Sequence, residues 1–571
     1  MSSDFLPPLP LPSPPSAPDL QQRRNSCIPP TDIFPPPPLL SKDKTTMDNS
    51  WESSSMIKKL RLILTGTVVV LGGSFHFGYQ ISLINPLADV LQDFIKDSVN
   101  RTHETSIDEF SQRIVWPSVA GLLFIGAFIG ALFSPKAMQQ MGLRSFFSLS
   151  SVILLSSFLL SFSSKYFQSA ELFIFGRFLA GIGIGTFTST QAVYLSEISP
   201  QRFRGVMGSL TGFSKSVGFV LASGIGIPQI LGTSDLWQWA YLIECIPSIM
   251  VLIGMLFFFY DSPVYLIKNG EDKEAYKCLE LYHTTNRAQQ RMPEIYAELE
   301  RDKRNNAEGK TTLAAMFNYL PARKAFFICV LVNTTVSFSG IMAVSFFGTF
   351  LLQGIGFTEN GAAIANCFAS FSGLLGNVFG TLTIDKIGRR KLIIGGLLAL
   401  AALNSLLMFL VYLFKFTEDV NTGYAFLVVF MLFLFVFSLG VGPLALFIAT
   451  ELTTADFRPL MQSASIATQY LTCFISPLIF FPAYDIIGPL TFMIFIVPLL
   501  LTSTYLYFVL PETKNRPIEH IVDELAGLSA PPSQQQHSPP PSAVKEVTLG
   551  APASFTSTSL PKSIPESVAV S

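Results

Sequence analysis

Charge is what this sequence has least of. Only 13% of its 571 residues are Asp, Glu, Lys or Arg, where a soluble domain carries roughly a quarter. The net charge of −1 leaves no basic field, so no nucleic acid is expected as a partner. Cysteine is sparse too. Cys27, Cys245, Cys278, Cys329, Cys367 and Cys473 show no metal-ligand spacing, and no two share a plausible outside loop. We therefore expect free thiols, no metal and no disulfide frame. The opening MSSDFLPPLPLPSPPSAPDL is broken by proline and has no apolar helical core before Leu60, so it does not read as a signal peptide. It and the Ser/Pro/Gln-rich end are expected to be disordered. A Pro-rich docking run and a phosphoacceptor Ser26 after Arg23-Arg24 are matched by pattern alone, so tail-binding partners stay unknown. Gly309-Lys310-Thr311 lacks the leading Gly of a phosphate loop, Arg304 standing there, and no strand precedes it. Neither nucleotide hydrolysis nor any other enzyme activity is expected, and no cofactor is implied.

What fills the chain is apolar: 49% hydrophobic residues and 52 Phe. Runs long enough to cross a bilayer fall near Leu62–Ala88, Ile114–Ser134, Ser145–Phe162, Leu172–Leu195, Val206–Leu231 and Ala240–Tyr260. A second set follows near Ala325–Leu352, Ala362–Ile384, Leu392–Phe414, Tyr424–Ala449, Leu460–Phe481 and Leu490–Leu510. The sequence thus predicts an all-α membrane protein of 12 transmembrane helices in two six-helix bundles plus cytosolic helices. Its parts are a Pro-rich tail (1–59), an N-terminal bundle (60–260), a helical linker (261–324), a C-terminal bundle (325–510) and a second tail (511–571). In the linker, helices are expected over Asp272–Tyr282, Met292–Asn305 and Thr311–Tyr319, with Asn269-Gly270 as a turn.

Lys and Arg set the orientation. With the amino terminus in the cytosol, Lys58, Lys59, Arg61, Arg144, Arg204, the linker and Lys386 to Lys391 lie inside, and the outside receives few. Both termini are then cytosolic, and the plasma membrane is the expected location. Asn100-Arg101-Thr102 becomes a reachable outside acceptor for glycosylation at Asn100, whereas Asn333-Thr334-Thr335 sits in an apolar run and is dismissed.

A charge pattern occurs twice. Tyr194 to Gly205 reads YLSEISPQRFRG and Ile448 to Pro459 reads IATELTTADFRP, so Glu197 precedes Arg204 as Glu451 precedes Arg458. Upstream stand Gly142-Leu143-Arg144 and Asp385-Lys386-Ile387-Gly388-Arg389-Arg390. Such a duplication marks two related bundles. With Gly176-Arg177, Asp261-Ser262-Pro263 and Pro511 to Lys514 (PETK), these motifs resemble the sugar porter family of the major facilitator superfamily, above all the animal facilitative glucose and fructose transporters. The likeness runs from about Leu60 to Glu524.

The resemblance implies the major facilitator fold and facilitative transport of a hexose or related small polar solute by alternating access in the bilayer. It implies a cytosolic clamp of Glu451, Asp385, Arg389, Arg390 and Arg458, with Glu197, Arg144 and Arg204 as its counterpart. Ion pairs of this kind are each worth about 0–1 kcal/mol, which suits a switch. The first half lacks the family's acidic residue and double Arg around Gln140 to Arg144, so the second half is expected to carry more of the gate. Proton-driven relatives place an Asp where Gln80 stands in His76-Phe77-Gly78-Tyr79-Gln80, so passive uniport is favoured. His76 reads as a hydrogen-bonded pore histidine or a titrating one.

The family's sugar-binding positions are largely replaced: Gly212, Val336-Ser337, Met342, Gly373, Ser438 and Leu446 stand where it has amides, an acid and a Trp. Helical spacing puts Asn333 on the face of Ser337 and Asn377 on that of Gly373, while Gln469 and Tyr470 occupy the family's polar and aromatic cavity positions. Lys215, three residues beyond Gly212, is expected at membrane depth, where a charge is expensive and suggests function. It either faces an anionic or strongly accepting solute, pairs with Glu244, or snorkels. A carrier retuned to an organic anion or polyol, and a non-transporting nutrient receptor that signals through its tails, are the competing readings.

Overall fold

A computed structural model describes residues 56–103, 109–200, 203–307, 313–454, 457–514, 516 and 518–527. Both expected tails, apart from their ends nearest the bundles, lie outside these residues, as does Thr311. The described residues form helices and no strands, as lipid requires of a chain whose backbone groups have no water to bond. Ten segments are long and apolar enough to cross a membrane. The last, Leu460–Val509, holds two spans, because the chain turns through the 3-10 segment Gly488–Phe492 between Arg458–Ile487 and Met493–Val509. Arg204–Ile225 is the remaining crossing helix; Lys215 and its many Gly and Ser residues leave it less apolar than the rest. The twelve spans expected from the sequence are thereby accounted for. Phe257, Phe258 and Phe508 point outward and are about three-quarters exposed, a placement suited to lipid.

Helix pairs close through small residues. Gly126 and Gly130 of the second span lie against the Phe178 and Ile182 carbonyls of the fourth, and Gly181 and Gly185 return the contact onto Leu123 and Ala127. The second half repeats this with Gly376 and Gly380 against the Phe435 and Leu439 carbonyls. Side chains there would hold the backbones apart. The halves meet chiefly along the second and eleventh spans and along the fifth and eighth.

Among the described spans that line the cavity between the halves, three are irregular at membrane depth. The first has a π-turn at Leu71–Phe75, the tenth another at Phe437–Val441, and the seventh breaks between Ser337 and Ile341, where Gly340 takes φ 95°. Broken helices are tolerated inside a bundle where they line a cavity, and all three do so here.

The linker forms helices Pro263–Lys268, Asp272–Tyr282, Thr285–Ala307 and Leu313–Asn318. The second has the expected limits, and the third starts a full turn and more before Met292. Lys58 donates to the Glu280 and His283 carbonyls at 2.8 and 2.9 Å, tying this layer to the first span. Asn100 lies on an exposed face of helix Ala88–His103, a regular element where a loop was expected. The described cysteines are all free.

Candidate functional site

Between the halves lies a cavity to which both contribute lining residues. Helical periodicity builds its walls. On the eighth span Asn366, Ser370, Gly373 and Asn377 form one stripe at intervals of four, three and four residues; on the fifth, Gly212, Lys215, Ser216 and Phe219 form another. Phe77, Met342, Ser345, Ser438 and Gln469 contribute from the broken spans and the eleventh. The side-chain amides of Asn366, Asn377 and Gln469 show no protein partner among the described residues, although all three are buried. Leaving such a group unpaired in a dry site costs about 1–3 kcal/mol, so the wall is suited to a solute rich in hydroxyls.

Gly212, Lys215, Met342, Asn377, Ser438 and Gln469 thus line one hollow as expected of their positions. Asn333 and Ser337 do not. The Asn333 amide turns into the protein, donating to the Cys329 and Ala445 carbonyls, and Ser337 bonds to the carbonyls of Asn333 and Gln469. The break after Ser337 rotates that stripe off the cavity. Tyr470 stands beside the hollow, its hydroxyl bonded to Thr188 of the other half and its ring packed on Phe77 and Phe124. The Leu446 side chain is not among those described. Asn366, Asn85, Ser345 and Ser370 were missed from sequence. The signal for Asn366 was available, since it precedes Asn377 by eleven residues, about three helical turns.

Lys215 does not pair with Glu244. Its ammonium lies over the Phe77 ring, 4.6 Å from the centroid. Glu244 belongs to a separate buried network. It accepts from Gln80, and one oxygen lies 3.1 Å from His76 Nδ1, while His76 Nε2 is 2.8 Å from the Ser248 hydroxyl. The Gln80 carbonyl in turn accepts from Arg177 at 3.1 Å. One carboxamide therefore sits between opposite charges, its N–H₂ toward Glu244 and its oxygen toward Arg177. His76 is accordingly no pore residue; it is fully buried against Phe158.

At the rim where the linker packs, the same construction appears in each half. The Asp261 carboxylate accepts from Leu143 N at 2.8 Å, and Glu512 accepts from Arg389 N at 3.0 Å. Each caps a helix whose preceding glycine, Gly142 or Gly388, has φ of 79° or 98°, a conformation that suits glycine. The next residue, Ser262 or Thr513, donates its hydroxyl to Glu197 or Glu451. Burial pushes the Asp261 carboxyl above its ordinary value, against the pull of its N–H donors, and pushes up the Cys278 thiol that bonds the Asp261 carbonyl.

The charged contacts differ from the expected clamp. Arg389 Nε meets Glu451 at 3.3 Å, but Arg390 donates to the Tyr507 carbonyl and covers its ring. Arg144 donates to the Met255 and Leu256 carbonyls instead of meeting Glu197. Arg458 Nε is buried without a hydrogen-bond partner, and the side chains of Arg204 and Asp385 are outside the described ones. These described bonds each lie within one half, because each acid faces the helix starts of its own bundle. Between the halves, described bonds are uncharged at both ends. Away from the rim, Asn85 accepts from Thr349 N at 3.0 Å, and Ser223 bonds Ser370 at 2.8 Å while also meeting Ser82 of its own half at 2.7 Å. Toward the rim, Ser463 donates to the Ala131 carbonyl at 3.2 Å. A smaller hollow sharing Gly212, Asn377 and Pro443 with the cavity continues toward the rim past Gly208 and Thr381.

A family model described as "Sugar (and other) transporter" matches residues 65–525. The chain is 27% identical over 457 residues to the mouse protein (Mus musculus) "Solute carrier family 2, facilitated glucose transporter member 7", covering 80% of this chain and 88% of that one. It is 27% identical over 459 residues to member 3 of sheep (Ovis aries), covering 80% and 91%. Among solved structures it resembles the major facilitator proton:xylose symporter XylE bound to 6-bromo-6-deoxy-D-glucose, with TM-score 0.67 at 20% identity, over 81% of this chain and 98% of that one. At that identity the likeness speaks for the fold alone.

Proposed function

This chain belongs to the sugar (and other) transporter family, and from that premise we propose that it is a facilitative uniporter for a hexose or a related small polar solute. It is an integral membrane protein of a family of transporters rather than enzymes. The observation that carries the proposal is the hollow between the halves, with unpartnered carboxamides on its wall and both bundles contributing to it. A solute that bonds Asn377 and Asn366 on one side and faces the fifth span on the other is held by groups that separate when the halves rock. Gly212, Lys215, Met342, Asn377, Ser438, Gln469 and the added Asn366 are the proposed contacts; Tyr470 serves as a neighbouring wall.

In the same reading, residues 60–260 and 325–510 are the two rocking bundles, 261–324 is the linker, and both termini face the cytosol at the plasma membrane. The rim of Asp261 and Glu512 is then cytosolic, and the hollow past Gly208 and Thr381 is the inner exit. Gln80 in the place of an acid supports passive movement, and among the described residues no carboxylate lines the cavity to carry a proton. The Glu197 and Glu451 contacts brace each bundle, so the switch energy comes from the neutral seam bonds as well as from any charge. The test is a radiolabelled panel of hexoses, polyols and organic acids in proteoliposomes holding the purified full chain. Saturable uptake with counterflow, and without proton movement, is the expected result; a chain that moves no member of the panel overturns the uniporter reading.

A further inference from the structure

We propose that the solute held in this cavity carries a negative charge as well as hydroxyls, a polyhydroxylated carboxylate of the hexuronate kind, with its carboxylate on Lys215; the inference rests on the carrier reading above.

The cavity wall contains a cation and no acid. Among the described residues Lys215 lines it, and no Asp or Glu does. Among the described residues Lys215 has no ion pair or hydrogen bond; its ammonium lies over the Phe77 ring. A ring face attracts an ammonium but leaves its charge uncompensated. Glu244, the acid buried in the same half, is already engaged by His76 and Gln80. An ammonium at membrane depth without a counter-ion is costly, and a neutral hexose brings none. A carboxylate brings both the opposite charge and strong acceptor oxygens.

The position favours an anion that spans the seam. Lys215 stands one turn beyond Gly212, and a Cβ at Gly212 would lie 2.8 Å from Asn377 Nδ2. The absent side chain at Gly212 thus leaves the Asn377 carboxamide, from the opposite half, beside the helix face that carries Lys215. One carboxylate can take a charged bond from Lys215 and an amide N–H from Asn377. The remaining wall, with Asn366, Gln469, Ser370 and Ser438, has donors and acceptors for hydroxyls, and Phe77 offers an apolar face. Such a solute crosses alone, with its charge, so its flux follows the membrane potential.

The experiment uses the full chain in proteoliposomes with radiolabelled D-glucuronate and D-glucose, under potassium–valinomycin potentials of either sign. Wild type is expected to take up glucuronate faster with an inside-positive potential. In Lys215→Met the ratio of glucuronate to glucose uptake is expected to fall by about tenfold or more, with Lys215→Arg between the two. In detergent, glucuronate should raise the melting temperature of wild type more than glucose does, which needs no variant to fold. Glucose uptake with no glucuronate uptake and no glucuronate-dependent melting shift overturns this inference and leaves the carrier standing. An unchanged ratio in Lys215→Met also overturns it. Absence of flux and of melting shift for both probes sinks the carrier reading and this inference together.

Discussion

The Asp261 carboxylate caps the backbone N–H of Leu143 across 118 residues of chain, at 2.8 Å. Glu512 does the same for Arg389 in the other half. Both acids follow the last span of their bundle, and both are followed by a hydroxyl residue that bonds a second acid. Asp261→Ala and Glu512→Ala are therefore expected to lower stability by similar amounts, about 1 kcal/mol each. Thermal unfolding in detergent measures this, and the double variant should lose about the sum. A large loss for one and none for the other means that the caps are not equivalent.

Arg389 and Glu451 are a partly buried pair, with side chains 20% and 29% exposed. A double-mutant cycle between them is expected to give a coupling of at most about 1 kcal/mol. Arg390, bonded to Tyr507, should show none with Glu451. Measurable coupling of Arg390 to Glu451 contradicts the contacts described here.

Gly78 and Gly218 are the points of closest approach of the first and fifth spans. A Cβ on Gly78 would run into the Lys215 carbonyl, and one on Gly218 into the Phe75 carbonyl. Backbone has no rotamer by which to yield, so Gly78→Ala should cost about 1–3 kcal/mol by overpacking and reduce both yield and flux. Gly395→Ala is the control, because nothing lies within 4 Å of a Cβ there.

Gln80→Leu strips Glu244 and Arg177 of the carboxamide between them. Breaking a buried charged network costs about 3–5 kcal/mol, so the variant should melt well below wild type. A melting temperature equal to wild type means that His76 and the surrounding carbonyls satisfy both charges unaided.

Asn100 stands on an exposed helix face. If that face is extracellular, expression in a glycosylating cell should give a band shift that amidase treatment and Asn100→Gln both remove. An unshifted wild type reverses the proposed orientation or removes the site.

Much of this was legible in the sequence because lipid makes apolar length an almost sufficient signal. Even the fifth span, diluted by Lys215 and glycine, stood out through its place after the repeated Glu-Phe-Arg pattern. The cavity was legible where a span is regular: Asn377 and Gly373 follow helical spacing, and so does Asn366, had the stripe been extended upward. It was illegible where a span breaks. Asn333 lies before the Phe338–Gly340 interruption and faces inward, a rotation that spacing alone does not encode. The clamp was misread for another reason. A charge motif fixes which residues are present but not their partner, and Arg144 and Arg390 both found backbone carbonyls.

Among the described residues, the seam away from the rim is held by neutral groups, Asn85 on the Thr349 N–H, Ser223 on Ser370 and Thr188 on Tyr470. Water can replace each of these contacts one for one, without a charge ever being stripped of its hydration. If the halves part here during transport, wetting governs how that mouth opens, and its rate should be indifferent to ionic strength and sensitive to osmotic stress. A carrier latched in this manner is tuned by how readily its entrance fills, and dissolved salt gives the cell no handle on it.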